Sequence, residues 1–223
     1  MKHLLLIFLL SLSAVASQKP TTPGSHKRNS CDNGSKYTFD VYIPKAYATK
    51  KDKQFPVLYL SSPGSKPGFR KLEKWAEENE FLLITINESE NKLPWNTIFK
   101  IQDDVVNSTE YLRKHHCLQF ATGVSGSAWA SVHLANRFPK KIAGVFMNCH
   151  SGNGTYLKNK GCSVTLVSGE KDSVHPASAV KRAYSYYKKK GFHAKYENLP
   201  MRHRWAPLNK FIENLDYMYS YQK

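Results

Sequence analysis

The chain has 223 residues, 41% hydrophobic and 22% charged, a balance that fits a folded globular domain and excludes a disordered or low-complexity polymer. Lys and Arg outnumber Asp and Glu by 33 to 17, a formal charge of +16, and such a field favours anionic surroundings such as acidic polysaccharide, cell envelope or nucleic acid. The lysines are spread over Lys50-Lys51, Lys140-Lys141 and Lys188 to Lys190 without interleaved aromatics. That excludes a specific nucleic-acid reader and leaves an anionic polymer surface, or simply a solvated basic face.

In chain order, "MKHLLLIFLLSLSAVASQKP" opens with a positive start, an apolar run from Leu4 to Leu12 and small residues at Ala14 and Ala16. This is the layout of a signal peptide over residues 1–16, cleaved after Ala16, and the run is too short for a membrane span. The mature protein is expected in a secreted or periplasmic location. Residues 17–35 read as a polar leader. From residue 36 to 223, strands and helices alternate. "KYTFDVYIP" alternates as a strand does. "FPVLYLSS" and "FLLITIN" are short continuous apolar runs, as in strands buried on both faces. Between them a helix from Phe69 to Glu78 gathers Phe69, Leu72, Trp75 and Ala76; the next helix carries Ile98, Ile101, Val105 and Leu112. "LQFATGV" is a strand, followed by a helix from Ser127 to Phe138. "IAGVFMNC" and "CSVTLVSG" are two more buried strands. A helix from Pro176 to Lys190, the strand "HAKYENL" and a helix bearing Leu208, Phe211, Ile212 and Leu215 complete the chain. The alternation predicts one α/β domain, a mostly parallel sheet with helices on both faces.

Four cysteines, Cys31, Cys117, Cys149 and Cys162, permit two disulfides in an exported protein. Cys149 and Cys162 bracket one loop and form the expected pair; four buried free thiols are the alternative. No metal-ligand spacing is present, so neither a metal site nor a cofactor is expected. Sequons stand at Asn33, Asn87, Asn107 and Asn153.

In a parallel sheet, ligands gather at the carboxyl ends of the strands. Ser125, in "ATGVSGSAWAS", follows a strand and precedes a helix, with Gly123 and Gly126 beside it. That context suits a nucleophile on a tight turn, with the Gly126 N–H aimed at a developing oxyanion. A serine needs a base and an orienting acid. Asp172, in "GEKDSVHP", lies in the loop after the next-to-last strand, and His203, in "RHRW", in the loop after the last. Glu170, His175 and His193 compete for these roles. The order Ser125, Asp172, His203 is that of a Ser–acid–His triad on an α/β sheet. Trp129 and Trp205 are candidates to wall a substrate pocket, or to pack in the core, and His150 is a candidate to line it.

These residues carry a resemblance. The chain, from Tyr37 onward, resembles the α/β-hydrolase superfamily, in particular small secreted esterases of the polyhydroxybutyrate depolymerase and feruloyl or acetyl-xylan esterase type. "YTFDVYIPKAYATKKDKQFPVLYL" is similar to their lead-in, "GEKDSVHP" to their acid loop and "RHRW" to their histidine loop. The resemblance implies an α/β-hydrolase fold and an esterase with Ser125 as nucleophile, Asp172 as orienting acid and His203 as base. The substrate would be a small ester or an esterified polysaccharide. Two positions depart from the pattern. Ser127 stands where the elbow ends in glycine, and "SSPGS", Ser61 to Ser65, replaces a His-Gly loop. Pro63 has no N–H, so a second oxyanion donor is expected from Ser62, Gly64 or a hydroxyl. A non-catalytic binding protein on the same fold and a serine peptidase are the competing functions.

Overall fold

The computed structural model describes residues 19–32, 34–112 and 117–222. The expected signal peptide and the Asn33 sequon lie outside the described residues. The elements are β1 (Gly24–Ser30), β2 (Thr38–Ile43), α1 (Ala46–Thr49), β3 (Val57–Ser61), α2 (Glu73–Asn79), β4 (Leu82–Ile86), α3 (Trp95–Ser108), β5 (Gln119–Val124), α4 (Gly126–Arg137), β6 (Ile142–Asn148), β7 (Ser163–Gly169), α5 (Ala177–Lys189), β8 (Ala194–Leu199) and α6 (Leu208–Gln222). A single 3-10 turn, Glu110–Leu112, follows α3.

Eight strands form one sheet in the order β1-β2-β4-β3-β5-β6-β7-β8. Strands β3 to β8 are mutually parallel, and β1 and β2 are antiparallel additions at one edge. The apolar runs of the central strands are continuous because each strand feeds two cores. On β3, Val57 and Tyr59 enter one core while Leu58 and Leu60 enter the other. The first core receives α3, α4 and α5 through Ile101, Val105, Val132 and Val180. The second receives α2 and α6 through Trp75, Phe211, Leu215 and Met218. With a helix layer on each face, only the sheet ends stay open, and the carboxyl ends of β3 to β8 all point the same way. The fold class expected from the alternation is therefore the one observed.

Three readings need correction. The polar leader is not loose throughout: Gly24–Ser30 pairs with β2 as the edge strand β1, with a bulge between His26 and Asn29. An edge strand faces solvent, so it shows no apolar alternation to read. The helix expected from Phe69 begins at Glu73, because Arg70 and Lys71 take φ of 57° and 63°. Phe69 and Leu72 are nonetheless buried in the second core. Finally, the expected disulfide is not formed. All four cysteines are buried, and none is in a disulfide. Cys149 follows the carboxyl end of β6 and Cys162 precedes the amino end of the neighbouring parallel strand β7. They are separated by a strand length, on the order of 20 Å at about 3.3 Å per residue, where a disulfide needs Cα atoms within roughly 7 Å.

Among the sequons, Asn107 and Asn153 are exposed. Asn87 is 3% exposed, and its amide donates to Thr38 Oγ1 and Asp40 Oδ1, so it is closed to glycosylation. Among the described residues, no helix is long and apolar enough to cross a membrane.

Candidate active site

The turn between β5 and α4 places Ser125. Its backbone has φ 56° and ψ −134°, a region that costs a non-glycine residue about 1–3 kcal/mol. The strain is held by bonds on both sides: Ser125 N–H donates to the Asn148 carbonyl at 3.0 Å, and Ala128 N–H donates to the Ser125 carbonyl at 2.9 Å. Gly123 makes the turn sterically feasible. A Cβ there would lie 2.4 Å from the Ser127 backbone, so strand and helix could not pass so closely with any larger residue. Ser127, the departure from glycine, is buried, and its carbonyl accepts the Ser131 hydroxyl at 3.0 Å.

Asp172 and His203 meet at the same end of the sheet. Asp172 Oδ2 accepts from His203 Nδ1 at 2.8 Å, and its Oδ1 accepts the N–H groups of Val174 and His175, each at 2.8 Å. Burial pushes the Asp172 carboxyl up. The bonds from His175, His203 and Val174 outweigh it and hold the carboxyl below the ordinary range, so it stays ionised. The two loops are stitched together. Lys171 N–H donates to the Met201 carbonyl at 3.0 Å, and Gly169 passes so close that a Cβ would lie 2.4 Å from that same oxygen.

With Nδ1 engaged by Asp172, the free ring nitrogen of His203 is Nε2. Among the described residues, no hydrogen bond joins the Ser125 hydroxyl to His203. The sheet end gathers all three residues, and among the described residues the acid and the histidine are hydrogen-bonded to each other. Two of the competitors are placed elsewhere, and the third lies beside the pair. Glu170 is exposed, with its N–H on the Leu199 carbonyl. His193 stacks on Tyr217 and Tyr221 at the amino end of β8, the wrong end of the sheet. His175 contributes its backbone N–H to Asp172, and its ring lies 5.6 Å from that of His203.

Trp129 and His150 belong together. Their rings stack at 6.0 Å, and His150 in turn lies 4.3 Å from His175, giving an aromatic row that runs from α4 to His203. The Trp129 indole N–H is buried with no partner among the described residues. Trp205 stands apart from this row, packed on Phe211 with the Arg70 guanidinium 5.2 Å from its ring centre. Of the oxyanion candidates, Gly126 starts α4, while Gly64 is drawn into an isolated antiparallel bridge with Glu90.

His150 carries a pH consequence. It is 2% exposed, its Nδ1 accepts the Gly152 N–H at 2.8 Å, and burial, aided by the charges of His175 and His203, lowers its pKa to about 3. In the unfolded chain it takes up a proton near 6.5; in the folded chain it resists until about 3. The unfolded state thus binds more protons across that window, and stability is lost as the pH falls through it. His150→Asn keeps an acceptor for Gly152 but does not titrate. Between pH 6.5 and 4 the wild-type protein is expected to lose up to about 1.4 kcal/mol per pH unit more than this variant. Denaturant midpoints at several pH values measure it, and parallel pH profiles would remove the assignment.

Two residues were not legible as part of the site. Asn148, fully buried at the end of β6, accepts the Ala206 N–H at 3.2 Å and donates to the Gly123 carbonyl at 3.2 Å. It ties the serine turn to the histidine loop. Its only signal is an amide in an otherwise apolar strand. Cys149 lies behind the acid–histidine pair: its Sγ, Asp172 and His203 offer atoms within 4.8 Å of one another, a set that could hold a metal ion. Those atoms are already committed. The thiol contacts the Arg204 carbonyl at 3.2 Å, burial pushes its pKa up to about 12, and both Asp172 oxygens are bonded. A cleft of about 490 Å3 lined by Gln119, Ile142 and Gln222 opens at the amino ends of β5 and β6, away from this site.

No family model matches the chain, and no curated protein matches it in sequence. Solved structures do. A thermostable esterase superposes with a TM-score of 0.59 at 15% identity, over 84% of this chain and 60% of that one. Thermogutta terrifontis esterase 2, solved phosphorylated by paraoxon, gives 0.62 at 10% identity, over 88% and 94%. A ferulic acid esterase gives 0.62 at 13% identity, over 91% and 97%. At these identities the likeness speaks for the fold.

Proposed function

We propose that this chain, which has the α/β-hydrolase fold, is a serine hydrolase that cleaves carboxylic esters through Ser125, His203 and Asp172. The observation that carries the reading is the closed Asp172–His203 pair at 2.8 Å, at the sheet end where Ser125 is held at φ 56°. A backbone strain and a buried carboxylate, each unfavourable to folding, meet at one place where a nucleophile needs both. In the reaction, Ser125 Oγ bonds to the ester carbon while His203 Nε2 takes its proton. Collapse breaks the bond to the alcohol, and His203 returns the proton to the leaving oxygen. Water repeats the sequence on the acyl-enzyme. Asp172 holds the histidine in the tautomer this requires.

The test is labelling with a fluorophosphonate, followed by peptide mapping. A single adduct on Ser125 is expected. An intact protein with no adduct there would leave the fold to a binding function.

The rim of the site is basic. Arg202 and Arg204 are exposed on either side of His203. Together with the +16 charge, this supports an esterified acidic polysaccharide as substrate. Retention on such a polymer is expected at low salt, and it should weaken steeply as salt screens charges beyond roughly 10 Å at 0.1 M. Retention that is absent, or indifferent to salt, would return the lysines to a solvated face.

A further inference from the structure

Acyl transfer needs preorganised donors where the carbonyl oxygen becomes an anion. Gly126 N–H supplies one in the reading above. The loop after β3 has no N–H at Pro63 and holds Gly64 in a bridge to Glu90, which leaves Ser62 as its competing donor. We infer that the second donor is the side-chain amide of Asn91, an inference that rests on the serine-hydrolase reading.

Asn91 follows the carboxyl end of β4, so it stands at the same sheet end as Ser125. Its amide lies directly over the start of α4. A Cβ built on Gly126 would meet Asn91 Oδ1 at 2.2 Å, Cγ at 3.0 Å and Nδ2 at 3.3 Å. Gly126 does not have a positive φ, so its backbone does not demand glycine. The space that a side chain at 126 would enter is held by the Asn91 amide, which would have to turn aside. The amide therefore sits beside the one N–H already assigned to the oxyanion.

The donor is also uncommitted. Asn91 is exposed, and among the described residues its side chain has no hydrogen-bond partner. The amide oxygen now lies nearer Gly126, and a half-turn about the terminal bond exchanges it for Nδ2, which carries two donors. The residue itself is fixed: Asn91 N–H donates to the Pro63 carbonyl at 3.0 Å, and the adjacent Gly64–Glu90 bridge closes the same loop. The proline whose nitrogen cannot donate thus anchors, through its carbonyl, the residue that can. As Ser125 Oγ bonds to the ester carbon, the carbonyl pair moves onto oxygen, and Gly126 N–H and Asn91 Nδ2–H receive that charge. It returns to the carbon–oxygen bond as the alcohol leaves.

The experiment compares wild type, Asn91→Ala and Asn91→Asp in kcat and KM on a p-nitrophenyl ester, in the rate of fluorophosphonate labelling and in Tm. Both variants should fold, since the side chain is exposed and unbonded. Asn91→Ala is expected to lose about a hundredfold in kcat with KM nearly unchanged, the pattern of a lost transition-state donor. Asn91→Asp should lose more, because a carboxylate repels the oxyanion. Labelling of Ser125 should slow in the same order. Equal labelling rates and kcat in all three proteins would overturn the Asn91 assignment alone. A wild-type protein that does not label at Ser125 would overturn the hydrolase reading and this inference with it.

Discussion

Ser125→Ala is expected to lower kcat on a p-nitrophenyl ester by about 10^5 to 10^6, the scale on which removing a triad nucleophile stops covalent catalysis. Stability should hardly change. The hydroxyl makes no hydrogen bond among the described residues, and the turn is fixed by backbone bonds to Asn148 and Ala128 that alanine retains. Turnover and Tm measured on one preparation separate the two effects. A variant within tenfold of wild type would show that chemistry occurs elsewhere or not at all.

Asp172→Asn should have the next largest effect, about 10^4 in kcat. The reason lies in the loop. Asp172 Oδ1 accepts two backbone N–H groups, from Val174 and His175, each at 2.8 Å. An asparagine will keep its carbonyl oxygen there, which turns its NH2 toward His203 Nδ1. That nitrogen must then accept rather than donate, so the ring proton moves to Nε2, and the face needed to take the serine proton is already occupied. The expected signature is a large kcat loss with the fold intact. A loss under tenfold would detach Asp172 from His203 in function, whatever their distance.

The central strands were legible because a strand serving two cores shows an unbroken apolar run, as "FPVLYLSS" and "FLLITIN" do. The serine turn was legible for a related reason: close passage of strand and helix demands a small residue at Gly123, and a short glycine-flanked motif records it. The acid and histidine could be ranked because β7 and β8 end just before them. What the residues concealed were relations made by tertiary approach. β1 is polar because its outer edge faces water. Cys149 and Cys162 are close in sequence but stand at opposite ends of parallel strands. Asn91 gains its meaning only from the backbone of Gly126, 35 positions away in the numbering. Asn148 likewise looks like a stray polar residue until its partners in two loops are seen.

The backbone of Ser125 also has a bearing on descent. A left-handed serine at φ 56° is a standing load on the fold, and glycine at that position would carry it freely. Its backbone bonds to Asn148 and Ala128 would survive the exchange. A lineage that used this scaffold only to grip a ligand would be free to place glycine at 125, exchanging the strain for a more flexible unfolded chain. A serine at this position is what the proposed nucleophile requires, at the cost of that strain.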